Sequence, residues 1–170
     1  MESKPLIIGF FGGPGIGKSV LAAETFVELK KQGKSVELVT EVAKEFTWQG
    51  RFKCLSNQFV VSANQHNREY SLYGHVDIIV TDGPILLGLA YNKNSLHFEN
   101  FILEEFKSQN NLNFLLKRKH KYQTFGRKES EIEAIKIDGK IKDLLDKHGI
   151  DYHEIVADES AAEKILELIK

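Results

Sequence analysis

Leu6-Ile7-Ile8-Gly9-Phe10-Phe11-Gly12-Gly13-Pro14-Gly15-Ile16-Gly17-Lys18-Ser19 carries the decisive pattern of this chain, an apolar run that breaks into a glycine-rich loop. The unbroken run from Leu6 to Phe10 predicts a strand covered on both faces, and a helix should open near Lys18 and continue to about Lys31, before Gly33. Between them, Gly12 to Ser19 satisfies G-x-x-x-x-G-K-[ST] in the strand–loop–helix context that the motif requires. The glycines let the backbone turn so that successive N–H groups converge on phosphate oxygens, aided by the positive end of the following helix. Gly12, Gly13, Pro14, Gly15, Ile16, Gly17, Lys18 and Ser19 are therefore expected to hold a nucleoside triphosphate. Lys18 would reach the β- and γ-phosphates, and the Ser19 hydroxyl would ligate Mg²⁺.

Working outward, Val36 to Val39 predicts a second strand, followed by a segment from Glu41 to Trp48 with helical character. Leu55, Phe59, Ala63, His66 and Tyr70 recur at spacings of three and four, which predicts one face of a helix with His66 packed into the core. Gln58, Gln65 and Glu69 then fall on its other faces. Val76 to Val80 predicts a third strand ending at Thr81-Asp82-Gly83-Pro84, where Asp82 could hold Mg²⁺ through water beside Ser19 and also cap a helix starting near Pro84. Asp77, at the far end of that strand, reads as structural. Phe98, Phe101, Ile102 and Phe106 predict a helical stripe, and Asn113 to Leu116 a fourth strand. Ala134, Ile137, Ile141, Leu144 and Leu145 mark a further helix, Tyr152 to Val156 a fifth strand, and Ala162, Ile165, Leu166 and Ile169 a terminal helix.

Strands alternating with helices call for a parallel sheet, because parallel neighbours need crossover connections. The expected fold is α/β, a three-layer α/β/α sandwich around a five-stranded parallel sheet, with residues 1–170 as a single domain. Strand order is not readable from the pattern. Ligands of such sheets bind beyond the carboxyl ends of the strands, so Gly12 to Ser19, Glu41, Asp82 and the loop after Leu116 should share one edge.

The 170 residues hold 23 Lys+Arg against 24 Asp+Glu, with 42% apolar and 28% charged residues, a composition suited to one globular core. A net charge of −1 supplies no global positive field, so any polyanion site must be a local patch. Cys54 is the single cysteine, which excludes an internal disulfide framework and a cysteine-built zinc site. The histidines show no metal-ligand spacing. No stretch approaches the roughly 20 apolar residues that cross a bilayer. A soluble, cytoplasmic protein without membrane contact is expected.

Asn92-Lys93-Asn94-Ser95 imitates a guanine-reading loop, but Ser95 lacks the carboxylate that would accept from the guanine amino edge. A motor ATPase would ordinarily need a longer chain, so the short kinase plan is favoured. GGPGIGKS at Gly12 to Ser19, TEVAKEF at Thr40 to Phe46, VTDGPILLGLAY at Val80 to Tyr91 and LLKRKHKYQTFGR at Leu115 to Arg127 together resemble the P-loop nucleoside and nucleotide kinase group. More narrowly, the chain resembles the small kinase/ATPase family that includes ribosylnicotinamide kinase domains and phage kinases acting on 5-hydroxymethyluracil in DNA. The resemblance runs over most of the chain, with the phosphate loop its most specific part. It implies an ATP:alcohol phosphotransferase that uses Mg²⁺ and acts on a nucleoside-like acceptor, a hydroxymethyl pyrimidine in DNA being one candidate. The alternative is a nucleoside-triphosphate-driven switch or binding module with no small acceptor.

In similar kinases an acidic residue just after the second strand takes the acceptor's hydroxyl proton, and Glu41 occupies that place. Asp82 is the competing base, and a helix-capping role for Glu41 stays open. Similar kinases carry a lid after the fourth strand, here about residues 118–128, with Arg118 and Arg127 supplying charge to the transferring group. The same basic segment, 117–128, interleaves Tyr122 and Phe125 with cations, so nucleic-acid contact and a plain solvated face remain alternatives. Arg51, Gln58, Gln65 and Arg68 fall in the stretch that covers the acceptor in similar kinases, where Gln amides could bind a pyrimidine or nicotinamide edge and Arg a phosphate. Each of them taken singly also fits a polar side chain on the exposed surface of a helix. Phe46 and Trp48 read as core or pocket wall.

Overall fold

The computed structural model describes residues 4–92, 95–119, 122 and 130–169. Five strands, β1 (Leu6–Phe11), β2 (Val36–Val39), β3 (Ile78–Thr81), β4 (Asn110–Lys117) and β5 (His153–Val156), form one sheet in the order β2-β3-β1-β4-β5. Every neighbouring pair is parallel. The helices are α1 (Lys18–Lys31), α2 (Val42–Trp48), α3 (Phe52–Leu55), α4 (Gln58–Tyr70), α5 (Leu96–Ser108), α6 (Glu131–Lys147) and α7 (Ala161–Leu168), with a 3-10 segment over Ile85–Tyr91. None of these helices is long and apolar enough to cross a membrane, among the described residues.

Strand β1 is central, and its side chains alternate between two apolar layers. Ile8 and Phe10 pack with Leu21, Ala22 and Leu29 of α1 and with Ala161, Ala162 and Ile165 of α7. Phe11 faces the opposite side, against Ile85 to Ala90, Phe98 and Ile102 of α5, and Ile141 and Leu145 of α6. Burial on both faces is why β1 reads as an unbroken apolar run, and the three-layer α/β/α sandwich is the observed fold. Two strand starts differ from expectation by more than one residue. β3 starts at Ile78 because the N–H groups of Asp77 and Ile78 both donate to Ser35 O at 3.0 Å, which ends the preceding turn there. β4 starts at Asn110, because pairing with β1 extends back to Leu6 opposite Asn110. In place of an α-helix near Pro84, the chain forms the 3-10 segment, and Phe101 is 60% exposed while the rest of its stripe is buried.

Helix α4 corrects the sequence reading more deeply. The stretch from Leu55 to Tyr70 is two pieces, because Asn57 caps α4 by accepting from Phe59 N–H at 3.1 Å. The buried face is the polar one, Ser62, Gln65 and Glu69, while Phe59 and Tyr70 are each 57% exposed. Phe59 packs its ring on the buried Phe98 with centroids 4.6 Å apart, and Tyr70 stacks on His66 at 5.7 Å. His66 is thus a half-buried surface residue whose Nε2 meets Glu105 at 3.0 Å, and it does not sit in the core.

Burial pushes the Glu69 carboxyl up to about 8 from its ordinary 4.5, opposed by hydrogen bonds from Gln65 and Gln109. The folded chain then holds a proton that the unfolded chain releases, so stability falls as pH rises from about 4.5 to about 8 and levels off above. Glu69→Gln is expected to remove that slope. Its melting temperature should exceed that of the wild type at about pH 9, with the difference shrinking toward about pH 5 in a thermal unfolding series.

Candidate functional site

The strand register builds the site. Gly9 in β1 lies opposite Thr81 in β3, so the loop leaving β1 runs beside Asp82 at the carboxyl edge of the sheet. That loop enters α1 through Gly17, which adopts a left-handed φ of 112° as the helix N-cap, following Gly15 at φ 73°. An L side chain is strained in that region, so glycine permits the turn that aims the first α1 amides at one point. Among the described residues no side chain caps this helix end. Lys18 folds back over the loop, its Nζ donating to Gly12 O at 2.7 Å and Gly13 O at 3.2 Å. An ammonium and a helix N-terminus thus converge on one loop, the arrangement that binds phosphate.

Ser19 Oγ donates to Asp82 Oδ2, bringing together two residues 63 positions apart. A hydroxyl and a carboxylate at one point form a hard oxygen donor pair of the kind Mg²⁺ takes, so these residues fit the ion. Asp82 is only 1% exposed, and its other oxygen accepts from Glu41 N–H at 2.7 Å. One carboxylate therefore ties the phosphate loop to the start of α2. Glu41 is the N-cap residue of α2 but does not cap it with its side chain. Gly83 packs directly on it: a Cβ there would lie 2.9 Å from Glu41 Cα and 3.0 Å from its Cβ.

A cavity of about 490 Å³ runs from the phosphate loop to a pocket walled by α2, α4 and the 3-10 segment. Lys18, Ser19, Glu41, Gln58 and Gln65 line it, together with Trp48, Ser62 and Tyr91. Of the four residues expected to cover an acceptor, only Gln58 and Gln65 line this space. The Gln65 amide is already engaged: Oε1 accepts from Val42 N–H at 3.0 Å and Nε2 donates to Thr81 Oγ1 at 3.4 Å. Gln65 thus braces the start of α2, beside Glu41. Arg51 instead lies over the Phe46 ring at 4.4 Å, and Arg68 pairs with Glu45 and donates to Thr40 O at 3.4 Å. Both guanidinium groups are drawn to partners on the α2 segment, outside the cavity lining. Phe46 is core at 2% exposure, and Trp48 is 59% exposed. Ser62 was passed over in the sequence; its Oγ is buried without a hydrogen-bond partner among the described residues.

Of the expected lid, only Arg118, Lys119 and Tyr122 are described; Arg127, Lys121 and Phe125 lie outside the described residues. Arg118 Nη2 donates to Pro14 O at 2.8 Å, so the exit of β4 meets the phosphate loop. The cations around it have acidic partners: Lys117 pairs with Glu154 at 2.5 Å and Lys119 with Glu159 at 2.9 Å. Asp138 of α6, a second residue passed over in the sequence, joins Arg118 and the loop. A signal existed for it, since Ala134, Asp138, Ile141 and Leu145 fall on one helical face, and a lone acid on a buried face asks for a partner.

Residues 7–164 match the family described as an AAA domain. A comparison with curated proteins returns no match.

Proposed function

Because this chain belongs to the AAA domain family, whose P-loop domains bind nucleotide and Mg²⁺, we propose that it is an ATP-dependent kinase acting on a hydroxyl of a nucleoside-like acceptor. The observation that carries the reading is the continuity of the cavity. One cavity is lined both by the phosphate loop and by α2, α4 and the 3-10 segment, and Glu41 is among its lining residues. The part of this cavity walled by α2, α4 and the 3-10 segment is where an acceptor would lie. Residues 1–170 act as one domain, with 118–128 as its lid.

In this mechanism the loop amides and Lys18 hold the triphosphate, and Ser19 and Asp82 would hold Mg²⁺. When bound, the ion offsets charge on the β- and γ-phosphoryl oxygens. Glu41 orients the acceptor hydroxyl and takes its proton as the acceptor oxygen bonds to the γ-phosphorus. The bond from that phosphorus to the β,γ-bridging oxygen breaks, and the electron pair leaves with ADP. No large pKa shift is required of Glu41, since the alcohol becomes acidic only as the new bond forms. Arg127 steadies the charge on the transferring oxygens, while Arg118, engaged by Asp138 and the Pro14 carbonyl, holds the loop beside them. Gln58 and the partnerless Ser62 hydroxyl supply polar recognition, and Trp48 and Tyr91 supply flat walls suited to a planar base.

Glu41 is placed by close packing, so Gly83→Ala is expected to move it. Its added methyl would need Glu41 to yield by several tenths of an ångström, and misplacement of a reacting group costs about tenfold to a hundredfold in turnover. ADP affinity should stay within about threefold. Steady-state kinetics beside calorimetric ADP binding reads this, and an unchanged kcat would count against Glu41.

The second reading, a nucleotide-driven switch, draws on the AAA description itself. ATP consumption measured with and without a panel of nucleosides and hydroxymethylated DNA separates the two. Acceptor-dependent turnover with label in the acceptor supports the kinase; acceptor-independent hydrolysis with no labelled product supports the switch. Within the kinase reading, the 117–128 segment is the proposed DNA contact. Neutralising Lys119 and Lys121 should then give a salt-sensitive loss on polymeric acceptors alone.

A further inference from the structure

Asp138 stands 125 positions from the phosphate loop yet bonds to it directly. Its Oδ1 accepts from Gly13 N–H at 2.6 Å. Arg118, just beyond β4, grips the same carboxylate with Nε and, at 3.1 Å, with Nη2. The Nη2 group also donates to Pro14 O at 2.8 Å. The four partners close a ring: Gly13 N–H, the Asp138 carboxylate, the Arg118 guanidinium and the Pro14 carbonyl. The Asp138 and Arg118 side chains are only 22% and 17% exposed, so their charge-assisted bonds are shielded from water. A Cβ on Gly13 would lie 2.7 Å from Asp138 Oδ1 and 2.8 Å from Ala134 O, which shows how closely α6 approaches. The start of α6 is itself anchored by a reciprocal capping box between Ser130 and Glu133.

An acid beside a phosphate-binding loop repels the ligand unless its charge is matched. Arg118 supplies that match, leaving Asp138 as a hydrogen-bond acceptor that fixes one loop peptide. Lys18 is bonded to the carbonyls of Gly12 and Gly13, so the same peptide also helps to place the ammonium. We infer that Asp138 is a positioning residue for the phosphate loop, setting the Gly13–Pro14 segment and linking it through Arg118 to the exit of β4. It acts through the loop and not on the substrate. The inference rests on the reading of Gly12 to Ser19 as a nucleotide site.

The test is isothermal calorimetry of Mg·ADP binding to the full chain, with thermal unfolding as a control, for the wild type, Asp138→Ala and Asp138→Asn. Alanine removes both the acceptor and the charge, and should weaken Mg·ADP by about tenfold or more. Asparagine keeps an oxygen for Gly13 N–H, and should restore affinity to within about threefold of wild type. That rescue separates positioning of the loop from general loss of stability. Binding by folded Asp138→Ala within about twofold of wild type overturns the inference, as does Asp138→Asn binding no better than Asp138→Ala. Should Asp138→Ala fail to fold, Arg118→Ala takes its place. That variant leaves the carboxylate unmatched beside the loop and should also weaken Mg·ADP about tenfold, and undiminished binding overturns the inference. A wild type that binds no magnesium nucleotide overturns the nucleotide reading first and this inference with it.

Discussion

Lys18→Ala should lower turnover by about a hundredfold to a thousandfold, the scale set when one preorganised charged donor is removed from a transferring group. The Lys18 ammonium lies against the carbonyls of Gly12 and Gly13, so it is held at the loop before any phosphate arrives. Binding then needs little rearrangement, and the charge is present as negative charge spreads over the γ-phosphoryl oxygens. The variant should fold normally, because the side chain packs on loop carbonyls and contributes nothing to the apolar layers. Mg·ATP binding and turnover measured together check this. Loss of both with an unchanged melting temperature is expected, and wild-type turnover would remove the phosphate loop from the reaction.

Glu41→Gln should leave Mg·ATP affinity nearly intact while transfer falls by about a hundredfold to ten-thousandfold, the range spanned by general-base catalysis. The substitution keeps the size of the side chain and the Glu41 N–H that donates to Asp82, so the scaffold is preserved. What is lost is a carboxylate able to accept a proton. Acceptor-dependent transfer assayed beside ATP binding separates base from scaffold. If transfer survives, the base role passes to Asp82, which accepts from Ser19 Oγ and Glu41 N–H. Asp82→Asn would then be expected to show the larger loss.

Much of the fold was legible because burial leaves a local trace. The β1 run is apolar throughout since both its faces are covered, and α1 begins and ends within a residue of the positions implied by the loop and by Gly33. The phosphate loop was legible for a similar reason, since its glycines and its Lys-Ser pair meet demands made within eight consecutive residues. Helix α4 was misread because hydrophobic periodicity assumes that apolar side chains face inward. Here the inward face holds Gln65, paired with Val42 N–H and Thr81, and Glu69, paired with Gln109. Gln65 so satisfied can be buried, Glu69 is buried with its carboxyl pushed up to about 8 and its Oε1 without a partner among the described residues, and the aromatic stripe then covers the outside. Arg51 and Arg68 were drawn out of the acceptor region by Phe46 and Glu45, partners that helical spacing does not reveal.

Taken alone, the amino-acid order determined the strand–loop–helix unit, the parallel layered architecture and the phosphate loop. These follow from torsional preferences and side-chain periodicity over a few neighbouring residues. Only the tertiary structure decided the strand order, the meeting of Ser19, Glu41 and Asp82, the inward face of α4 and the clasp of Asp138 on Gly13. Those contacts join residues tens to more than a hundred positions apart. Their geometry depends on how whole elements pack, and a chain read a few residues at a time carries no direct record of that.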